Sequence, residues 1–183
     1  EDIVLLISEA VEARSMETGH HVQRVGAYSQ VIAQRLGVSE EDAKILRMAS
    51  PLHDLGKIAI ADAILKKPGK LTAEERTEME KHPEIGAAIL SGQDRPVLQA
   101  AKIISLQHQE KWDGTGYPYG LAGDDIHIFA QITAIADVFD AISSERCYKA
   151  AWPLERCFEF LKEQRGRHFG PAVVDAFFDS MDD

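Results

Sequence analysis

The sequence predicts an all-α bundle interrupted by one long glycine-rich loop. Apolar residues recur at helical spacing along most of the chain, and no alternating apolar and polar run of useful strand length occurs. The stretch from Gln109 to His127 gathers Gly114, Gly116, Gly120 and Gly123 with Pro118, and a loop of that length in a compact helical domain is usually functional. With 183 residues, 45% of them apolar, the chain can bury the core of a single domain.

The elements follow in order. Val22, Val25, Ser29, Ile32 and Leu36 repeat at intervals of 3, 4, 3 and 4, the stripe of an amphipathic helix. Gly37 stops it, and Ser39 is the expected N-cap of a second helix that turns Ile45, Ala49 and Leu52 inward. Pro51 either kinks that helix or begins a short new one, with Ser50 as N-cap. Pro68-Gly69 marks a turn in a lysine-rich segment, and Thr72 to Glu75 reads as a capping box. Helical pattern continues over about 83–90 and 96–108. Ile128, Ile132, Ile135, Phe139 and Ile142 form another stripe, and two further helices are expected near 153–164 and 171–180.

Charge and composition narrow the function. Thirty acidic against 20 basic residues give a net charge of −10, which argues against a nucleic-acid groove but not against a small phosphorylated ligand in a locally basic cleft. No apolar run reaches membrane-spanning length, and no basic leader opens the chain. Cys147 and Cys157 make no CxxC pair, which fits a reducing, cytoplasmic setting. The first residue is Glu1 rather than Met, which suggests a single domain, residues 1–183, cut from a longer signalling protein.

Histidines and carboxylates carry the chemistry. His53 and Asp54 are adjacent near a helix end, Glu17 and His21 are four apart and share a helix face, and His82 precedes Pro83 at a helix boundary. His108 stands just before the glycine-rich loop, and Asp137 shares a face with Ala130, Ala134 and Ala141. Imidazole and carboxylate groups from several helices converging on a bundle interior are how helical proteins build metal sites. Singly, each has an ordinary reading as a core histidine, a capping carboxylate or a loop anchor; His20, His127 and His168 are read as surface or loop residues.

Their order is more specific. His53-Asp54-Leu55-Gly56-Lys57, His82, His108, Trp112-Asp113-Gly114-Thr115-Gly116-Tyr117-Pro118 and Asp137 together resemble the HD-GYP family of cyclic-dinucleotide phosphodiesterases. The likeness runs from Glu17-Thr18-Gly19-His20-His21 to Arg146-Cys147-Tyr148-Lys149 and so covers essentially the whole chain. The bare His-Asp pair is unspecific; the Gly-Tyr-Pro loop at this distance behind it is not.

The resemblance implies an HD-domain bundle holding two divalent transition-metal ions, sometimes three, with iron, manganese or nickel as the metals. The implied ligands are Glu17, His21, His53, Asp54, His82, His108 and Asp137, with Asp54 bridging. His53, Asp54 and Lys57 carry catalysis. Lys57, Arg146 and Lys149 meet substrate phosphate, and Gly116, Tyr117 and Pro118 shape the pocket. A hydroxide bridging the ions would open cyclic di-GMP or 3′,3′-cyclic GMP-AMP to the linear 5′-phosphorylated dinucleotide. An upstream sensor or regulatory domain is the implied partner, and homodimerisation is left open.

Three departures from the family pattern stand out. His108-Gln109-Glu110 replaces His-His-Glu, so Gln109 is an uncertain ligand and one ion position is expected to be weaker. Ile126-His127 replaces Ile-Pro, and Gln131 stands where Arg is frequent. The alternatives are a cyclic-dinucleotide or partner-binding module with little turnover, for which only Gln109 speaks, and an HD nucleotidase acting on mononucleotides or ppGpp-like substrates, against which the Gly-Tyr-Pro loop speaks.

Overall fold

A computed structural model describes residues 2–15, 19–145 and 150–181. The expectations that fall on Glu17, Arg146 and Lys149 lie outside the described residues. The remainder is helical, with ten α-helices: α1 (Asp2–Arg14), α2 (Gly19–Arg35), α3 (Glu40–Ala49), α4 (Asp62–Leu65), α5 (Ala73–Met79), α6 (His82–Ile89), α7 (Pro96–Gln107), α8 (Ile128–Ser143), α9 (Leu154–Glu163) and α10 (Pro171–Asp179). No helix among the described residues is long and apolar enough to cross a membrane.

Helix α2 is the hub and packs on α1, α3, α8 and α10. Its stripe is buried at Val22, Val25, Ser29 and Ile32. Gly37, at φ +76°, ends the turn that follows it, and the Ser39 side chain accepts from the Asp42 N–H to start α3. Within α3 the fully buried residues are Ala43, Leu46 and Ala49, while Ile45 is only half-buried, one residue off the expected stripe. The capping box at Thr72 is present in both directions. Helix α8 buries Ile132, Ile135 and Ile142 against the common core.

Around Pro51 the structure bears out the second alternative, a short new helix with proline in its first turn, and corrects its cap. The chain leaves α3 through two short 3-10 turns, Ser50–Leu52 and Leu55–Ala59, and the His53-Asp54 pair sits at their junction rather than on a helix end. Ser50 is not an N-cap. Its hydroxyl donates back to the Leu46 carbonyl and meets the Thr133 hydroxyl of α8 at 3.1 Å, tying the junction to the core. Gly56 lets the second turn lie on the start of α6, where any Cβ would collide with the His82 carbonyl. That contact brings Asp54 to His82 across the intervening 27 residues.

Helix α1 was not anticipated. It presents Ile3, Leu6 and Ile7 outward and buries Val11 and Glu12, so its apolar residues surround the helix and give no clean stripe.

Candidate metal centre

Four imidazoles and two carboxylates converge below the glycine-rich loop. They form two groups whose donor atoms lie within 4.8 Å of one another: His21, His53 and Asp137 in one, Asp54, His82 and His108 in the other. Six of the seven expected ligands are therefore brought together, from α2, the 3-10 junction, α6, the end of α7 and α8.

The carboxylate of Asp54 spans both groups. Its Oδ1 lies 3.2 Å from His82 Nε2 and 3.4 Å from His108 Nε2, while its Oδ2 lies 3.2 Å from His53 Nε2. On the first side, Asp137 Oδ1 is 3.4 Å from His21 Nε2 and 3.8 Å from His53 Nε2. His82 and His108 face each other with their Nε2 atoms 3.3 Å apart.

Every ring is held from behind. His53 Nδ1 meets the Ser50 carbonyl at 2.8 Å, His82 Nδ1 the Met79 carbonyl at 2.8 Å, and His108 Nδ1 the Ser105 carbonyl at 2.9 Å. His21 Nδ1 meets Asp140 Oδ2 at 2.7 Å. A carbonyl or carboxylate oxygen can only accept, so each Nδ1 carries a proton and each ring turns its Nε2 to the centre. Asp140 is itself fixed by Arg24, which spans both its oxygens.

The donor chemistry fits metal. His53 Nε2 and Asp54 Oδ1 are buried with no hydrogen-bond partner, an arrangement that is costly unless something else occupies those lone pairs. Nitrogen and carboxylate oxygen donors suit divalent transition ions. Burial holds the His108 pKa below its ordinary value against the pull of Asp54, leaving a neutral imidazole ready to ligate. Asp54 is an anion: burial opposes its charge, but Lys57 and His53 hold its pKa well below the usual carboxylate range. His53 is also desolvated, yet the Asp54 carboxylate outweighs this and pushes the metal-free ring up to about 10.

Lys57 stands at the edge of the centre, 2.5 Å from Asp54 Oδ2 and 3.9 Å from Glu12 Oε1. Burial disfavours its charge, but Asp54 and then Glu12 overcome that, so it stays an ammonium. Glu12 is 1% exposed. Burial raises its pKa and Lys57 opposes the rise.

The Gly-Tyr-Pro loop is a fastened wall. Glu110 is buried, and its two oxygens accept from the Tyr119 and Leu121 N–H groups at 2.8 and 3.0 Å. Both oxygens are thus spent on the loop, so Glu110 does not stand in for the imidazole that Gln109 replaces. The Gln109 carbonyl accepts from Tyr117 N–H, and a Cβ on Gly116 would run into the backbone of Glu110 and Lys111. Gly116 therefore shapes the loop by close backbone packing. The Tyr117 ring meets His82 edge to face at 6.3 Å, and burial, reinforced by Asp54, raises the pKa of its phenol so that it stays neutral. Tyr117-Pro118 is a cis peptide. Trp112 and Asp113 N–H donate to the His168 and Arg167 carbonyls, pinning the loop to the segment before α10.

Two minor expectations change. His127 is the N-cap of α8, its Nδ1 accepting from Phe129 N–H at 3.1 Å, where the family pattern has proline. His168 is half-buried and stacked on Phe169 rather than a plain surface residue; burial and Lys111 lower it to about 4. The sequence reading gave no role to Glu12, Asp140 or Glu110. Asp140 had a usable signal, since Asp137 and Asp140 sit three apart on α8, opposite His21 and Arg24 three apart on α2.

Comparison with known proteins bears on the family and the fold. The sequence profile described as an HD domain matches residues 6–173. A 3′3′-cGAMP-specific phosphodiesterase 2 of Vibrio cholerae is 50% identical over 182 residues, covering 100% of this chain and 35% of that protein. The cyclic di-GMP phosphodiesterase response regulator RpfG of Xanthomonas campestris is 46% identical, over 93% of this chain and 45% of its own length. The chain thus spans a third to a half of the length of these curated relatives. The crystal structure of a cyclic GMP-AMP specific phosphodiesterase of V. cholerae matches with a TM-score of 0.67 at 18% identity, over 98% of this chain and 49% of that one. An HDG"Y"P protein from Bdellovibrio bacteriovorus matches with a TM-score of 0.66 at 23% identity, over 90% of this chain and 52% of that one. These two likenesses concern the fold.

Proposed function

The chain belongs to the HD domain family, as an HD-GYP member, and from that premise we propose that it is a metal-dependent phosphodiesterase opening a cyclic dinucleotide, cyclic di-GMP or 3′,3′-cyclic GMP-AMP. The observation that carries this reading is the Asp54 carboxylate, set across two donor groups, with the Tyr117 ring of the Gly-Tyr-Pro loop against His82 of one of them. The relatives' names support the substrate class.

His21, His53 and Asp137 would hold one ion and His82 and His108 the other, with Asp54 shared between them; iron, manganese and nickel suit this donor set. Bound there, the ions supply Lewis-acid activation of water and of the scissile phosphate. The protein does the rest. Lys57, with Arg146 and Lys149 three residues apart, neutralises the non-bridging phosphate oxygens. Tyr117 offers a neutral phenolic donor, and Gly116 and Pro118 keep the wall in place. The attacked phosphorus loses its 3′-oxygen, which leaves a linear dinucleotide with a 5′-phosphate. We further propose Glu17 as an additional ligand, a cytoplasmic setting and an upstream regulatory domain.

The test is hydrolysis by purified protein loaded in turn with Fe²⁺, Mn²⁺ and Ni²⁺, over a panel of cyclic dinucleotides and ppGpp, with products resolved by chromatography. The linear 5′-phosphorylated dinucleotide is expected from cyclic di-GMP or cyclic GMP-AMP. Binding without turnover under every metal would replace this reading by a sensing module, as the Gln109 change would favour.

A further inference from the structure

The last turn of α1 reaches the turn that carries Lys57. The Arg14 guanidinium donates to the carbonyls of Lys57 at 3.2 Å, Ile58 at 2.6 Å and Ile60 at 3.1 Å, and pairs with Asp62 at 2.6 Å. The Lys57 carbonyl already accepts from the Ile60 N–H, and the Ile58 and Ile60 carbonyls lie at and just past the end of the 3-10 turn Leu55–Ala59, so Arg14 fixes the backbone beneath Lys57. Two residues earlier, Glu12 is buried. Its Oε2 accepts from the Ser15 hydroxyl at 2.9 Å, but its Oε1 has no hydrogen-bond partner. That orphaned oxygen lies 3.9 Å from Lys57 Nζ. A carboxylate buried half-satisfied is costly, and the bonds described so far give it no use.

Asp54 Oδ2 supplies the reason. It lies against both Lys57 Nζ and the metal-facing nitrogen of His53. An ammonium and a metal cation cannot both sit on one oxygen without strong repulsion in a buried site. A shift of about 1 Å would bring Lys57 Nζ from its present separation into hydrogen-bond range of Glu12 Oε1.

We propose that Glu12 is a positioning residue that receives the Lys57 ammonium when Asp54 is engaged by metal, and so keeps Lys57 aimed at the substrate phosphate. Arg14 holds the turn on which that transfer is made. The inference rests on the reading above that Asp54 bridges two ions.

Two measurements test it. In crystals loaded with Mn²⁺, Lys57 Nζ is expected within hydrogen-bond distance of Glu12 Oε1 and away from Asp54 Oδ2; an ammonium still seated on Asp54 would overturn the inference whatever the hydrolysis assay gives. In solution, Glu12→Gln should bind Mn²⁺ with unchanged stoichiometry and melt normally, yet lose about 10- to 100-fold in kcat with little change in KM. In a Lys57→Met background the same substitution should add almost nothing. Additive losses, or a Glu12→Gln protein with full kcat, would show that Glu12 does not act through Lys57. Absence of hydrolysis in the wild type would sink the proposed function alone, since the crystallographic distance decides the role of Glu12 independently.

Discussion

The two donor groups at the centre are built differently. His21, His53 and Asp137 come from distant segments, and the His21 ring is held by a charged chain running through Asp140 to Arg24. Asp54, His82 and His108 are all buried, whereas Asp137 of the first group is only partly so, and the two rings are held by main-chain carbonyls three residues behind them, at Met79 and Ser105. The first group depends on side-chain charge at His21, while His53 is held, like the rings of the second group, by a carbonyl three residues behind it. The second depends on local helix-end geometry and on the glycine contacts that press the 3-10 turn onto α6. Substitutions of charge should therefore damage the first group, and substitutions near the loop the second.

Removing the shared member damages both. Asp54→Ala should lose both ions and depress hydrolysis by more than the roughly 100- to 1,000-fold that one lost donor costs a preorganised site. Metal analysis beside a turnover assay checks this, and the helix content should persist because the apolar stripes are untouched.

Asp140→Asn separates the groups. It keeps the shape but weakens the anchor of the His21 ring and the Arg24 pair, so metal affinity at the first group should fall about 10- to 100-fold while the second keeps its ion. Mn²⁺ titration should then resolve one weakened and one normal step. Equal weakening of both would mean that the groups are not independent.

Acidity offers a further separation. The metal-free His53 ring sits at about 10, above the unfolded value of 6.5, so its contribution to stability is complete below about 6.5 and is lost as pH rises toward 10. Chelated protein should therefore lose unfolding free energy between about pH 7 and 9.5, and His53→Asn should flatten that slope. The same proton must leave when metal binds, so loading at neutral pH should release it, which calorimetry in buffers of different ionisation enthalpy detects.

The smallest effect concerns Gln109. Gln109→His offers a second imidazole beside His108 and should tighten the ion at Asp54, His82 and His108, reducing the activation seen on adding Mn²⁺. Indistinguishable titration curves for the two proteins would make Gln109 a silent replacement.

Much of the candidate site was legible in the sequence because its imidazoles and carboxylates are single residues whose order along the chain resembles a family motif. The stripes of α2 and α8 and the cap at Thr72 follow from periodicity and turn chemistry alone. Around the His53-Asp54 junction the proline left a kink and a new short helix as alternatives, and the second 3-10 turn and the Ala49 cap were not legible from it. Glu12 left no trace, since α1 has apolar residues on both faces and its one buried acid looks like any other. Glu110 was missed because its partners are backbone amides of the loop, which no residue pattern reveals.

The central claim is that Asp54 joins two ions, one in each donor group. Anomalous diffraction from crystals soaked in Mn²⁺ tests it directly. Two peaks about 3.5–4 Å apart are predicted, both in contact with Asp54, one beside His21, His53 and Asp137 and the other beside His82 and His108. A single peak, or two peaks that do not share the Asp54 carboxylate, would contradict it.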